Sequence, residues 1–181
     1  MPIRHADPER DAAAVAVIYG NAVETTVATF EEVAPTPDEM AGRMRSVLDR
    51  TPWLVAEDDG AVVGYAYAGP HQSRPGYRWS VNISVYVADG HRGRGIGRAL
   101  YDDLLAILRR QGFVNVYAGI ALANPGSVAL HEGIGMRRTA LYERVGFKFG
   151  AWHDVAWFAL RLADPEGTPP EPIPLPELDR A

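Results

Sequence analysis

The sequence predicts a mixed α/β domain in which a central sheet is flanked by helices. Three observations carry that prediction. Residues 81–87, VNISVYV, alternate strictly: Val81, Ile83, Val85 and Val87 point one way, Asn82, Ser84 and Tyr86 the other. That is the period of a strand with one face in the core and a polar face opposite. Residues 95–113, GIGRALYDDLLAILRRQGF, instead set Ile96, Leu100, Leu104, Ile107 and Leu108 on one helical stripe, with Gly112 at the C-terminal capping position. Between strand and helix lies a turn with glycines at 93, 95 and 97. Strands and amphipathic helices that alternate in this way bury their apolar faces by stacking helices on a sheet.

The remaining elements follow in chain order. A short strand at residues 3–5 precedes an alanine-rich helix in DPERDAAAVAVIYGNAVETT. Thr36, Pro37 and Glu39 form a capping box with proline in the first helical position, so a second helix starts there. In WLVAEDDGAVVGYAYAGP two apolar runs meet at Asp59-Gly60, a hairpin signal. VNVYAGIAL reads as a strand, and Asn124-Pro125 as the N-cap and first residue of a short helix reaching about Glu132. RRTALYERVGFKFG and WHDVAWFALRL read as two closing strands joined by a glycine-containing turn. Beyond residue 162 the chain becomes ADPEGTPPEPIPLPELDRA, whose proline density argues for a disordered tail over 163–181, a passive extension rather than a polyproline ligand built on Pro169 and Pro172. The domain is therefore expected over residues 1–162, and no internal repeat is evident.

A chain of 181 residues suits one domain that buries roughly two thirds of its unfolded surface. It contains no cysteine, which excludes disulfides, thiolate metal sites and an acyl-cysteine intermediate. MPIRHADPER holds no apolar leader core and no apolar run is long enough to span a bilayer, so the cytoplasm is the expected location. A net charge of -5 argues against tracking nucleic acid by bulk electrostatics. Against that background His91, Arg92, Arg94 and Arg98 form a local basic cluster suited to a small anion, although charge alone equally describes a solvated loop.

The glycine turn fits neither common phosphate motif. A dinucleotide fingerprint would need glycine where Arg98 or Leu100 stands, and a Walker loop would need lysine and a hydroxyl where Ile96 and Gly97 stand. What remains is Arg92-x-x-Gly95-x-Gly97, a strand-to-helix turn whose free amides and helix dipole can hold a pyrophosphate without metal. No metal site is expected: Glu132 follows His131, but an H-E-x-x-H motif would need histidine at Gly135.

The run VYVADGHRGRGIGRALYDDLL resembles the coenzyme A motif of the GNAT superfamily of N-acetyltransferases, and the likeness continues through NPGSVALHEGIG and ERVGFKFGAWHDVAWFAL. RPGYRW, SVALHE and GAWHDV resemble the phosphinothricin N-acetyltransferase family in particular, over roughly residues 3–162. The resemblance implies a mixed, mostly antiparallel sheet in which the strand carrying Val85, Tyr86 and Val87 splays from its neighbour to admit acetyl-CoA as cosubstrate. It assigns the pyrophosphate to the amides of Gly93, Arg94, Gly95, Ile96, Gly97 and Arg98, with Arg92 and Arg94 adding charge, and turns Asn124 and Ser127 towards the coenzyme. His131 takes the place of the tyrosine that many such enzymes use to protonate the departing thiolate; an imidazole is a competent donor, and a structural histidine is the other reading. Asn82 stands where relatives commonly carry a glutamate base, and an amide cannot titrate. Glu31, Glu32 and His71 are replacement candidates.

For the acceptor, the resemblance implies a pocket with Phe30, Arg74, Tyr77 and Trp79, in which Arg74 would clasp a carboxylate. His153 and Asp154 are read as structural or dimer-facing, since the resemblance also implies a homodimer. The expected activity is direct acetyl transfer to the α-amine of a small amino acid or analogue such as phosphinothricin, methionine sulfoximine or methionine sulfone. The alternatives are an acetyl-CoA-binding module with little catalysis, motivated by Asn82, and transfer to a polyamine, an aminoglycoside or a protein N-terminus.

Overall fold

In a computed structural model, which describes residues 1–180, the Asp59-Gly60 turn closes a hairpin between β2 (Trp53–Asp58) and β3 (Ala61–Pro70), both turn residues having positive φ. That backbone matches the twist of the flanking strands. With β1 (Ile3–His5), β4 (Ser80–Val87), β5 (Asn115–Ala121), β6 (Arg137–Lys148) and β7 (Ala151–Arg161) the hairpin joins one seven-stranded sheet in the order β1-β2-β3-β4-β5-β7-β6. Each neighbouring pair is antiparallel except β4 and β5, so the sheet is mixed and mostly antiparallel as expected.

Helices cover both faces. On one, α3 (Ile96–Gln111) buries Leu100, Tyr101, Leu104 and Leu108 against Leu54, Ile83, Val116 and Phe158. On the other, α1 (Pro8–Thr25) and α2 (Pro37–Leu48) bury Val15, Tyr19, Met40 and Met44 against Trp53, Val55 and Tyr65. The capping box at Thr36 and Glu39 forms in both directions. The strand face expected to be polar is covered as well: Tyr86 makes an edge contact with Tyr19 at 5.1 Å and lies over Tyr65 at 5.3 Å between ring centres.

α1 is tied to the sheet by a buried charge. Both Asp11 carboxylate oxygens accept from Arg4, at 2.7 Å each, and one also accepts from the Asp7 N–H at 2.8 Å. Burial pushes this carboxyl up, but Arg4, the Asp7 amide and Arg10 together outweigh it and hold it below its ordinary 3.8. A carboxylate with a depressed folded-state value contributes stability that is complete above the unfolded value and is lost as pH falls through the folded one. Denaturant unfolding should therefore show Asp11→Asn about 1–3 kcal/mol less stable at neutral pH, since Arg4 keeps Glu57, with the gap narrowing in acid. A constant gap down to pH 3 would remove Asp11 from the acid response.

The C-terminal segment departs from the expectation of disorder. The Ile173 N–H donates to the Gln111 carbonyl and the Gln111 side-chain amide donates to the Ile173 carbonyl, both at 2.8 Å. The Leu175 N–H donates to the Arg50 carbonyl, and Leu178 is buried. Proline supplies no donors, but its carbonyls still accept, and the indole N–H of Trp79 donates to Pro170 at 2.8 Å. Trp79, expected to wall the acceptor pocket, anchors this strap through its indole N–H.

Candidate active site

β4 and β5 pair in parallel only through Ser80, Val81 and Asn82, opposite Asn115, Val116 and Tyr117. Beyond them β4 continues to Val87 and β5 to Ala121 without a shared ladder, so the strands diverge and leave β4 with an open edge inside the sheet. A cavity of about 580 Å³ opens there. Its walls are β4 from Ile83 to Val87, β5 from Ala118 to Ala121, the glycine turn and α4 (Pro125–Gly133).

Val85, Tyr86, Val87, Arg92, Gly93, Gly95, Ile96, Gly97, Arg98, Asn124, Ser127 and His131 all line it. Gly93 and Gly95 have φ of +76° and +81°, and Gly95 is the N-cap of α3 with no side-chain cap, so the first amides of that helix have no intrahelical acceptor. A Cβ at Gly97 would meet Leu130 at 3.1 Å, so glycine there is what lets α3 and α4 flank one opening. Among the described residues no aspartate or glutamate lines the cavity, while two helix N-termini and two arginines do, a fit for an anionic ligand.

The arginines are less free than the sequence suggests. Arg92 pairs with Asp89 at 2.9 Å, and Arg98 with Asp102 at 3.0 Å while also donating to the Gly133 carbonyl. Arg94 pairs with Asp58 at 3.2 Å and does not line the cavity. Exposed pairs of this kind are worth little, so Arg92 and Arg98 can exchange partners, whereas the first amides of α3 have no intrahelical acceptor to give up.

Along α4, Asn124 Oδ1 caps the helix by accepting from the Ser127 N–H at 3.1 Å. His131 is buried, and its Nδ1–H donates to the Ser127 carbonyl at 2.7 Å. Nε2 therefore carries no hydrogen and accepts from the Tyr101 hydroxyl at 3.0 Å. Burial lowers the imidazole, partly opposed by the Ser127 carbonyl, so His131 is held neutral with both nitrogens engaged. Burial also raises Tyr101 far above its ordinary value. This tyrosine lines the cavity and did not emerge from the sequence, because it falls among the apolar residues of the α3 stripe. A hydroxyl in such a stripe needs a buried partner, and that requirement was the available signal.

Where the strands part, Asn82 faces a second group of side chains. Its Oδ1 accepts from His71 Nδ1–H at 2.8 Å, and the His71 ring stacks on Tyr117 at 4.3 Å with Tyr77 6.0 Å and Trp157 5.9 Å away. The Trp157 indole N–H is buried without a partner. Among the remaining expected acceptor residues, Tyr77 joins this group. Arg74 is exposed at the start of the turn Pro75–Tyr77, and the Phe30 ring occupies the space beside Gly146 that a Cβ there would need, 6.2 Å from His153. Neither lines the main cavity. Glu31 is spent on Arg43, at 2.8 and 3.0 Å, and on the Tyr19 hydroxyl; Arg43 foremost holds its carboxyl below the usual range. Glu32 is exposed. His153 Nε2–H donates to the Lys148 carbonyl and Asp154 accepts from the Arg144 N–H, so both brace the β6–β7 hairpin.

Comparison with known proteins agrees with this geometry. The family model described as acetyltransferase (GNAT) domain matches residues 3–157. The chain is 40% identical over 163 residues to phosphinothricin N-acetyltransferase of Streptomyces viridochromogenes, covering 90% of this chain and 88% of that one. It is 39% identical over 163 residues to L-methionine sulfoximine/L-methionine sulfone acetyltransferase of Salmonella typhimurium, covering 90% and 95%. The structure of a GNAT superfamily phosphinothricin acetyltransferase from Sinorhizobium meliloti, in complex with AcCoA, superposes with a TM-score of 0.89 at 36% identity, over 95% of this chain and 94% of that one. By sequence, by fold and by the opening between its central strands, the chain belongs to the GNAT acetyltransferase family.

Proposed function

We propose that the protein is an acetyl-CoA-dependent N-acetyltransferase acting on the α-amine of a small amino acid or analogue of the phosphinothricin, methionine sulfoximine or methionine sulfone type. The observation that carries this is the cleft between β4 and β5, which has amide donors and no carboxylate among its described lining residues and which opens just beyond the rung of Asn82 and Tyr117. Acetyl-CoA bound there would supply the thioester, its pyrophosphate held by the amides of residues 93–98 and its chain running along the unpaired edge of β4. The acceptor amine attacks the carbonyl carbon directly, and with no cysteine in the chain an acyl-cysteine intermediate is excluded. On the leaving-group side the proton is supplied by the Tyr101 hydroxyl, which lines the cavity and which His131 Nε2 orients as its acceptor. This modifies the direct donation expected of His131.

Dimer formation belongs to the same proposal. The β6–β7 hairpin exposes Tyr142, Val145, Phe147, Phe149 and Trp152, each more than half exposed, along a sheet edge that a second copy would cover. We place the enzyme in the cytoplasm; no helix among the described residues is long and apolar enough to cross a membrane.

Free-thiol release from acetyl-CoA tests the reading. Turnover is expected with phosphinothricin, methionine sulfoximine or methionine sulfone, and little with polyamines or aminoglycosides. Release only with the latter would overturn the acceptor assignment. Binding of acetyl-CoA with no turnover across the panel would favour a binding module, the reading that Asn82 motivates.

A further inference from the structure

We infer that His71 is the general base of the acetyl transfer and that Asn82 has become its orienting partner. The inference rests on the proposed function and concerns the group that receives the proton from the acceptor amine.

His71 follows β3 directly, and β3 pairs with β4 in a register that sets Gly69 opposite Asn82, so the histidine is delivered to the asparagine by the ladder itself. An amide oxygen can only accept, so the 2.8 Å contact fixes the hydrogen on Nδ1 and leaves the lone pair on Nε2. Among the described residues Nε2 makes no hydrogen bond. The stack on Tyr117 fixes the plane of the ring, and Tyr117 is the residue opposite Asn82 at the last rung before β4 and β5 part. The imidazole thus has one nitrogen anchored, its face packed and its basic nitrogen free, beside the point where the cleft opens. An asparagine holding a histidine ring by one nitrogen is a sound way to select the tautomer, because it accepts a hydrogen bond without neutralising the base.

The alternatives are already committed. Glu31 is clamped by Arg43 and Tyr19, Glu32 is exposed, and His131 has both nitrogens engaged on the leaving-group side. In the step assigned to His71, the amine nitrogen forms its bond to the thioester carbonyl carbon while the N–H proton passes to Nε2. The C–S bond breaks with its electron pair on sulfur, and sulfur takes a proton through Tyr101. The products are the acetamide and free coenzyme A thiol; the imidazolium returns its proton to water, and the Tyr101 phenolate takes one back from water, so both side chains are reset.

The test measures kcat/KM for wild type, His71→Gln and the double variant His71→Gln with Asn82→Glu. It uses an amino acid acceptor and the carboxamide of the same amino acid, whose amine is less basic and needs less help to lose its proton. Acetyl-CoA binding is followed in each protein as a check on folding. For His71→Gln we expect kcat/KM with the amino acid to fall about a hundredfold, a smaller fall with the carboxamide, and unchanged acetyl-CoA binding. Restoring a carboxylate in the double variant should recover at least about tenfold. Wild-type activity in His71→Gln, or an equal fall with both acceptors and no recovery in the double variant, overturns the inference while leaving the acetyltransferase reading intact. A wild type that releases no thiol with any amino acid overturns that reading, and this one with it.

Discussion

Gly95→Val is expected to raise the Kd for acetyl-CoA at least about a hundredfold, equivalent to about 3 kcal/mol. Gly95 has φ +81° and ψ 0°, and it is the hinge on which the chain turns from the loop into α3. A left-handed backbone costs an ordinary residue about 1–2 kcal/mol, and a β-branched one more. The turn would relieve that strain by rotating its peptide units, and those units carry the donors that face the cavity. Hydrogen bonds to a charged group are worth about 1.5–3 kcal/mol each, so misdirecting two of them suffices for the stated loss. Calorimetric titration with acetyl-CoA would show it, alongside a thermal melt to establish that the domain is folded. An unchanged Kd in a folded variant would mean that the turn is a structural joint and that the anion sits elsewhere.

Phe158→Ala should have the largest effect on stability, about 3–5 kcal/mol, out of a total that for most domains is about 5–15 kcal/mol. Phe158 is 1% exposed, pairs with Ala118 across β5 and β7, and packs in the same core as Leu100, Leu104 and Leu108 of α3. Its removal leaves a cavity that stiff neighbouring strands cannot close. The ring also lies 6.4 Å from that of His131, so the loss should reach the cleft as well. For a chain of this length the melting temperature should fall by about 10 °C. A shift of only one or two degrees would show that the α3 layer repacks freely and that the wall behind His131 is not rigid.

The parts of the molecule legible in the sequence are those written in neighbouring residues. The alternation of residues 81–87, the stripe of α3, the Thr36 capping box and the Asp59-Gly60 turn all state local periodicities or caps, and all form where expected. What escaped depends on partners far along the chain. Trp79 was grouped with the acceptor residues because of the motif around it, yet its N–H is taken by Pro170, 91 residues later. The tail was expected to be disordered because prolines cannot donate; the strap works because the donors come from the domain and the tail supplies carbonyls. The basic cluster was visible, but not the acidic partners of Arg92, Arg94 and Arg98. Asn82 and His71 stand apart in the sequence as single residues. The eleven-residue gap between them becomes a contact only through the β3–β4 register.

The parting of β4 and β5 also makes the fold formally incomplete. A sheet normally avoids bare edges because exposed amides and carbonyls recruit other strands. Here such an edge lies in the middle of the sheet, in an opening walled by α4 and the glycine turn. A ligand lying along β4 takes the place of the absent strand. Occupancy therefore becomes a term in folding: at a hundred times its Kd, such a ligand would add about 2.7 kcal/mol to the native state. The resistance of this protein to unfolding and proteolysis would then rise and fall with the cell's supply of acyl donor.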